Sequence, residues 1–309
     1  MALSTPQPIF SIRPPSLKPG DKVRFVSPAS TPQREAVLQS AERLEEWGLR
    51  VDFGEHAFRK VGYLAGTDDE RLADINNALR DDEVRAIFTT RGGKGSYRIA
   101  DRLDFDAAQR DPKFLIGFSD ITILHLALYK HCGISGVHGA LVGVGGQFGP
   151  QNETSLRSIL MTEDPIVIRT RGAEVTSTLT TSGVAEGVLL GGNLDSIATA
   201  AGWALPLMDG AILLLEAVNM HLGQVDRQLT MLRKAGHLAG LAGVAIGQFT
   251  GFQPSNGFTI VDLLREHLHS MEVPVLGGLP LGHGDEPLST LVGVTATLDA
   301  MSQRLTVGR

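Results

Sequence analysis

The sequence predicts an α/β fold in two domains, the first built on a parallel sheet with helices on both faces. Three observations predict it. Short apolar runs alternate with helix-like patterns from residue 23 onward, as in chains that wind helices over a parallel sheet. One run, Phe114-Leu115-Ile116, is apolar on consecutive residues, as a strand covered on both sides requires. The length, 309 residues, points to two domains.

Each element has its own signal. Residues 23–27 read as the first strand and 28–30 as the loop after it. Residues 33–47 place Ala36, Val37, Leu44 and Trp47 at helical spacing, with Gly48 as the stop. Residues 49–53 form the second strand. Thr67-Asp68-Asp69-Glu70 spells a capping box and opens a helix through Leu72, Ile75 and Leu79. Residues 84–90 are the third strand, followed by Arg91-Gly92-Gly93-Lys94-Gly95 and a short helix to Leu103. The strand ending at Gly117 then runs, with almost no loop, into a helix headed by Asp120 and Thr122 and stopped by Gly133. Ser119 stands at that junction. Ligands of parallel sheets bind beyond the C-terminal strand ends, and both Arg91–Gly95 and Ser119 lie at such ends.

Residues 1–20, rich in Pro and Ser, read as a loose arm without the apolar core of a signal peptide. Residues 21–165 read as the first domain, with a Gly-rich stretch over 134–150 and a short helix over 152–161. Residues 166–183, polar and rich in Thr, read as an interdomain segment. Residues 184–309 read as the second domain. It holds a strand over 185–190, Gly191-Gly192-Asn193, a helix over 194–201 and a buried strand over 211–216 that ends in Glu216. A helix over 225–234, a strand over 244–249, a helix over 257–269 and a strand over 273–276 lead to Gly282-His283-Gly284. Residues 290–298 and 304–307 alternate like a hairpin.

Composition narrows the function. Hydrophobic residues are 42% and charged residues 20% of the chain, enough for a sizeable core. The net charge is -6 and no Lys/Arg cluster stands out, which excludes nucleic acid and anionic membrane surfaces as expected partners. No apolar run approaches the roughly 20 residues of a membrane span. The single cysteine, Cys132, has no internal disulfide partner, so an intracellular setting is expected.

Three residues end or follow core segments and carry chemistry. Ser119 sits at a strand-to-helix turn, where nucleophilic serines are held. Glu216 closes an unbroken apolar run, where a carboxylate needs a partner. His283 lies between two glycines, which leaves room around its ring. Serine needs a base to become a nucleophile, and the base needs an acidic group to fix its tautomer. The same residues admit plainer readings. Ser119 fits a helix N-cap, Glu216 fits a cap or a partner of Arg227, and His283 fits a turn residue bonded to backbone. Ile121 stands where a Gly-x-Ser-x-Gly elbow has its second glycine, which argues against an ordinary α/β-hydrolase. Gly93-Lys94-Gly95-Ser96-Tyr97-Arg98 departs from the dinucleotide fingerprint. His125 and His138 read as core or turn residues. His267 and His269 face different ways on a helix, no zinc spacing occurs, and neither a metal nor a cofactor is expected.

Taken in order, Val26-Ser27-Pro28-Ala29-Ser30, Tyr63-Leu64-Ala65-Gly66-Thr67, Arg91-Gly92-Gly93, Ile116-Gly117-Phe118-Ser119-Asp120-Ile121-Thr122, Gly191-Gly192-Asn193-Leu194, Leu215-Glu216-Ala217-Val218 and Gly282-His283-Gly284 resemble the LD-carboxypeptidases. These serine peptidases include the murein tetrapeptide carboxypeptidases and the microcin C self-immunity peptidases. The resemblance runs from about residue 23 to about residue 298. It implies an α/β N-terminal domain with a smaller β-rich α/β C-terminal domain, the site between them, a homodimer and no metal. It implies a hydrolase that removes a terminal D-amino acid, as from L-Ala-γ-D-Glu-meso-diaminopimelate-D-Ala during cell-wall recycling. By motif match Ser119 is the nucleophile, His283 the general base and Glu216 its orienting carboxylate. The oxyanion is expected to meet the N–H groups of Asp120 and Gly93. Arg91 is the candidate for the substrate's terminal carboxylate, and Asn193 is placed in the same cleft. The chain departs from the family pattern at Lys94, where tyrosine is common, and over residues 217–222 and 291–293. These positions surround the expected pocket.

Overall fold

The structure is a computed structural model and describes residues 11–139 and 149–308. In chain order the first half comprises β1 (Lys22–Val26), α1 (Arg34–Glu46), β2 (Arg50–Phe53), α2 (Asp68–Arg80), β3 (Val84–Thr89), α3 (Phe105–Arg110), β4 (Phe114–Gly117), α4 (Thr122–Cys132), β5 (Gly136–His138) and α5 (Pro150–Met161). The second half comprises β6 (Ile166–Arg169), β7 (Val184–Asn193), α6 (Leu194–Ala200), β8 (Ile212–Val218), α7 (Leu222–Lys234), β9 (Gly243–Thr250), α8 (Ile260–His269), β10 (Val275–Leu276), β11 (Thr290–Val292), β12 (Val294–Asp299) and β13 (Arg304–Val307).

Among the described residues the strands form two sheets. One has the order β11-β5-β4-β3-β1-β2, with β1 to β5 parallel and β11 antiparallel at the edge. The other has the order β10-β9-β8-β7-β12-β13-β6, with β7 to β10 parallel and the rest antiparallel. The strand order of the first sheet reverses between β1 and β3, which opens a crevice beyond their C-terminal ends. The capping box at α2 forms as read: Thr67 Oγ1 accepts from the Glu70 N–H at 3.2 Å and Glu70 Oε2 accepts from the Thr67 N–H at 2.8 Å. One turn on, the wholly buried Arg71 guanidinium donates to the carbonyls of Pro28 and Gly95 and pairs with Asp68. That single side chain ties the loop after β1 to the loop after β3, both at the crevice.

Several segments differ from the sequence reading. Within the arm, residues 11–20 are packed: the Ile12 N–H donates to the Gly133 carbonyl at 2.7 Å, and Leu17 is buried in the core. Residues 1–10 lie outside the described residues. Part of the Gly-rich stretch, residues 140–148, does so too, while residues 136–138 form β5. The segment read as interdomain belongs to the second sheet, because β6 is its edge strand against β13 and Thr176 Oγ1 donates to the Gly247 carbonyl at 3.0 Å. The tail is split at Gly293. β11 returns to the first sheet and pairs with β5, whereas β12 and β13 form a hairpin in the second. The helix expected after Gly95 is two turns of 3-10 helix, Ser96–Arg98 and Ala100–Arg102. One apolar cluster contains Leu124 and Leu126 of α4 together with Leu194 and Ile197 of α6, so the two sheets share a core.

Candidate active site

β4 ends at Gly117, where a side chain would collide with Thr89 Oγ1 at 2.3 Å and with Ile121. The chain therefore turns tightly, and Ser119 adopts a left-handed backbone with φ 64°. Non-glycine residues enter that region at a cost of about 1–3 kcal/mol, and such strain gathers at functional sites. Ser119 does not cap the following helix. Phe118 holds the N-cap position, and no side-chain cap bond forms. From the second half of the chain, Ser196 Oγ donates to the Ser119 carbonyl at 3.2 Å. Opposite, a Cβ at Gly92 would lie 2.7 Å from the Ser119 Cβ, so only glycine leaves the serine its place. The Asp120 carboxylate accepts from the Ser96 N–H at 2.7 Å, and burial raises its pKa. Neither the Asp120 nor the Gly93 N–H donates to another group among the described residues.

Glu216 lies in β8 with no exposed surface. β9 carries an extra residue opposite it: Leu215 pairs with Ile246 and Ala217 with Phe249. A bulge re-aims side chains in this way. The Glu216 Oε2 lies 2.6 Å from His283 Nδ1. Burial by itself would raise the Glu216 pKa. The charge and hydrogen bond of His283 outweigh it and hold the carboxyl below its ordinary value. Gly282, at φ 122°, permits this approach, because a Cβ there would stand 2.8 Å from the Glu216 Cβ. The loop carrying His283 is pinned from β9. Thr250 Oγ1 donates to the His283 carbonyl at 3.0 Å. Gln248 Oε1 accepts from the Gly284 N–H at 2.8 Å, and its amide donates to Glu174 at 2.8 Å and to the Asp285 carbonyl at 3.1 Å. The imidazole packs on Phe118 with ring centroids 4.6 Å apart.

A cleft of about 630 Å³ joins these parts. Arg91, Gly93, Ser119, Asp120, Asn193 and His283 all line it, and Glu216 stands behind His283. All seven residues singled out from the sequence thus meet at one cleft or directly behind it. Arg91 Nη1 donates to the Thr31 carbonyl at 3.3 Å. Asn193 caps α6 by accepting from the Ser196 N–H at 3.3 Å, and its own N–H donates to Thr122 Oγ1 at 3.1 Å. Such a set can deprotonate a hydroxyl, hold the resulting imidazolium against a buried carboxylate and offer N–H groups to an oxyanion.

Sequence reasoning missed Gln248, Thr250 and Ser196. Gln248 had a visible signal, a polar residue inside an apolar strand. His138 is fully buried at the end of β5 with its ring edge toward Phe118, and burial lowers its pKa to about 4. His125 is buried as well. Its Nε2 is 3.0 Å from the Leu115 carbonyl, and burial lowers its pKa to about 3. Among the described residues no group of three or more His, Cys, Asp or Glu side chains is placed to hold a metal ion. Nor, among the described residues, is any helix long and apolar enough to cross a membrane.

Comparison with known proteins agrees with this architecture. Residues 23–139 match the model of the LD-carboxypeptidase N-terminal domain, and residues 186–298 match that of the LD-carboxypeptidase C-terminal domain. The chain is 31% identical to the Bacillus subtilis protein named "Probable murein peptide carboxypeptidase", over 94% of this chain and 93% of that one. It is 28% identical to the murein tetrapeptide carboxypeptidase of Pseudomonas aeruginosa, over 90% of this chain and 93% of that one. The solved structure of the microcin C7 self immunity protein superposes with a TM-score of 0.85 at 23% identity, covering 98% of this chain and 99% of that one. That likeness establishes a common fold.

Proposed function

The chain belongs to the LD-carboxypeptidase family, and from that premise we propose that it is a serine carboxypeptidase releasing the terminal D-alanine of murein tetrapeptides. One observation carries the reading. A wholly buried Glu216 holds His283 Nδ1 at 2.6 Å in the cleft into which Ser119 is turned by its left-handed backbone. In this reading Glu216 fixes the tautomer that leaves Nε2 of His283 as the base. His283 takes the Ser119 proton as Oγ attacks the amide carbon. The Asp120 and Gly93 N–H groups receive the oxyanion, each worth roughly 3 kcal/mol of barrier. His283 then gives the proton to the leaving amine, D-alanine departs, and water attacks the acyl-enzyme by the same route. Arg91 receives the free carboxylate of the departing residue, and Asn193 holds the wall of the cleft. The reaction draws on side chains and backbone alone. The proposed setting is cytoplasmic cell-wall recycling, by a homodimer.

A peptidyl-nucleotide substrate of the microcin type is the second reading. The tryptophans argue against it. Trp47 is buried and donates to Glu153 at 3.2 Å, and Trp203 donates to the Thr199 carbonyl at 2.7 Å. Neither lines the cleft, so a purine finds no indole to stack on. Mass spectrometry of a muropeptide panel incubated with the protein tests the proposal. The expected result is loss of one D-alanine from the tetrapeptide, abolished in Ser119→Ala. D-alanine release that is unchanged in Ser119→Ala overturns the serine mechanism. No release from any tetrapeptide overturns the substrate.

A further inference from the structure

One buried charge near the cleft has no step in the proposed reaction. Arg71, one turn into α2, is wholly buried and does not line the cleft. A buried guanidinium is costly unless its donors are met. Nη1 donates to the Pro28 carbonyl and, at 3.0 Å, to the Gly95 carbonyl, while Nη2 pairs with Asp68. The backbone at Gly95 is shaped to this contact. Its φ is 120°, and a Cβ there would lie 2.5 Å from Leu64 Cδ2 and 3.1 Å from Arg71 Nη1.

Each of those two carbonyls leads to an oxyanion donor. A peptide unit is planar and trans, so holding its carbonyl sets the direction of its N–H. The Gly95 carbonyl and the Ser96 N–H belong to one such unit. Arg71 holds its oxygen, and the Asp120 carboxylate accepts from its N–H at 2.7 Å. One peptide is thus clamped between a cation and an anion, which strengthens both hydrogen bonds. Asp120 in turn carries the first oxyanion N–H. On the other side, Pro28 lies two residues before Ser30. The Ser30 N–H donates to the Gly92 carbonyl at 3.3 Å, and Ser30 Oγ accepts from the Lys94 N–H at 3.1 Å. The Gly92 carbonyl and the Gly93 N–H are again one unit, so Ser30 turns the second oxyanion N–H away from itself. Gly93, at φ 107°, stands so close that a Cβ would meet Ser30 Oγ at 2.5 Å.

We propose that Arg71 is a positioning residue for the oxyanion site, setting the spacing of the Asp120 and Gly93 N–H groups through the peptide between Gly95 and Ser96 on one side and through residues 28–30 on the other. This role rests on the serine carboxypeptidase mechanism above and adds to it a residue that never touches substrate. A guanidinium suits the task because its donors form a rigid planar fork, whereas a lysine ammonium rotates freely on a flexible stem. Oxyanion donors act on charge that develops in the transition state. Displacing them therefore lowers kcat and leaves ground-state binding alone.

The test compares turnover of the tetrapeptide with binding of a tetrahedral mimic. The mimic is the tripeptide product with an aldehyde in place of the carboxyl that held D-alanine. Ser119 Oγ bonds to its carbonyl carbon, the hydroxyl proton passes to His283, and the oxygen is left between the two N–H groups. In Arg71→Lys and Arg71→Met, kcat is expected to fall about 30-fold or more, with KM within about threefold of wild type. Affinity for the aldehyde is expected to fall in step with kcat, while affinity for the tripeptide product stays within about threefold. Asp120→Ala is expected to lose activity in the same way. Combined with Arg71→Met it is expected to cost no more than about threefold beyond the worse single variant, because both act through one peptide. A kcat within about threefold of wild type in both Arg71 variants overturns the role. So does an aldehyde affinity that stays put while kcat falls, or a product affinity that falls with it, since the arginine then supports the cleft as a whole. Should Arg71→Met fail to fold by circular dichroism, Arg71→Lys and Asp68→Asn, which frees the guanidinium from its charge partner, carry the same readout. No cleavage of any tetrapeptide by the wild type overturns the carboxypeptidase reading and this role with it. Wild-type cleavage with unchanged Arg71 variants overturns this role alone.

Discussion

The β4–α4 junction and the β8–β9–His283 region place their reactive groups by opposite means. At the junction, Ser119 is held by backbone geometry: a positive φ, a glycine on each side of the turn and a tether from Ser196 to its carbonyl. In the second region Glu216 and His283 are held by side-chain burial and hydrogen bonds: a carboxylate with no exposed surface, a bulge that aims it, and Gln248 and Thr250 gripping the loop. The contrast teaches a division of labour. In the proposed mechanism the nucleophile must be exposed to substrate, and strain in its backbone positions it without covering it. A base and its carboxylate must keep a fixed mutual geometry, and a desolvated pair does so while lacking competition from water.

This comparison can be broken at its strongest point by Glu216→Gln. The amide keeps the volume and removes the charge that orients His283, so kcat/KM is expected to fall roughly 10³- to 10⁴-fold, with circular dichroism unchanged. A loss under tenfold would show that loop packing alone orients the ring.

The two regions also answer acid differently. His125 and His138, beside the junction, are buried as neutral imidazoles with pKa lowered to about 3 and about 4 from an ordinary 6.5. The unfolded chain binds those protons first, so stability falls as pH drops from 6.5 toward 4. The slope is about 1.4 kcal/mol per pH unit for each histidine, and about 3 for both. Glu216 is depressed below 4.5. Its contribution is therefore present in full above that value and is lost as pH falls through the lowered pKa. Urea midpoints between pH 7 and pH 5 are expected to report the histidines, with His138→Asn removing about half the slope. A flat profile over that window would contradict their burial.

Smaller effects sharpen the contrast. Gln248→Leu leaves Ser119, Glu216 and His283 in the chain and frees the His283 loop, so on the proposed mechanism kcat is expected to fall roughly 10- to 30-fold with KM little changed. An unaltered kcat would leave Thr250 as the sufficient anchor. Ser119→Gly relieves the left-handed strain and is expected to raise the unfolding free energy by about 1 kcal/mol, read from the same urea midpoints, while Ser119→Ala does not. Equal stability of the two variants would mean that the turn stores no strain.

Much of the fold was legible because local signals agreed with tertiary placement. The capping box at Thr67, the apolar run before Gly117 and the stop at Gly133 each act within a few residues, and each appears where read. The misread segments are short strands whose stability comes from a distant neighbour. β5, β6 and β11 span three or four residues and pair with strands far along the chain, so nothing local marks them. The arm was misread for the same reason, since Leu17 finds its burial against remote parts of the core.

Residue chemistry was enough to single out Ser119, Glu216 and His283, because a serine at a sharp turn, a carboxylate closing an apolar run and a histidine between glycines are each costly or unusual where they stand. Their meeting was not contained in those local costs. Glu216 and His283 are 67 residues apart, and their hydrogen bond requires the bulge opposite Leu215–Ala217 and the glycine at 282 that lets two backbones close. Pattern and propensity act over a turn or a strand, while hydrogen-bond geometry at the ångström scale arises when both sheets are packed on one core.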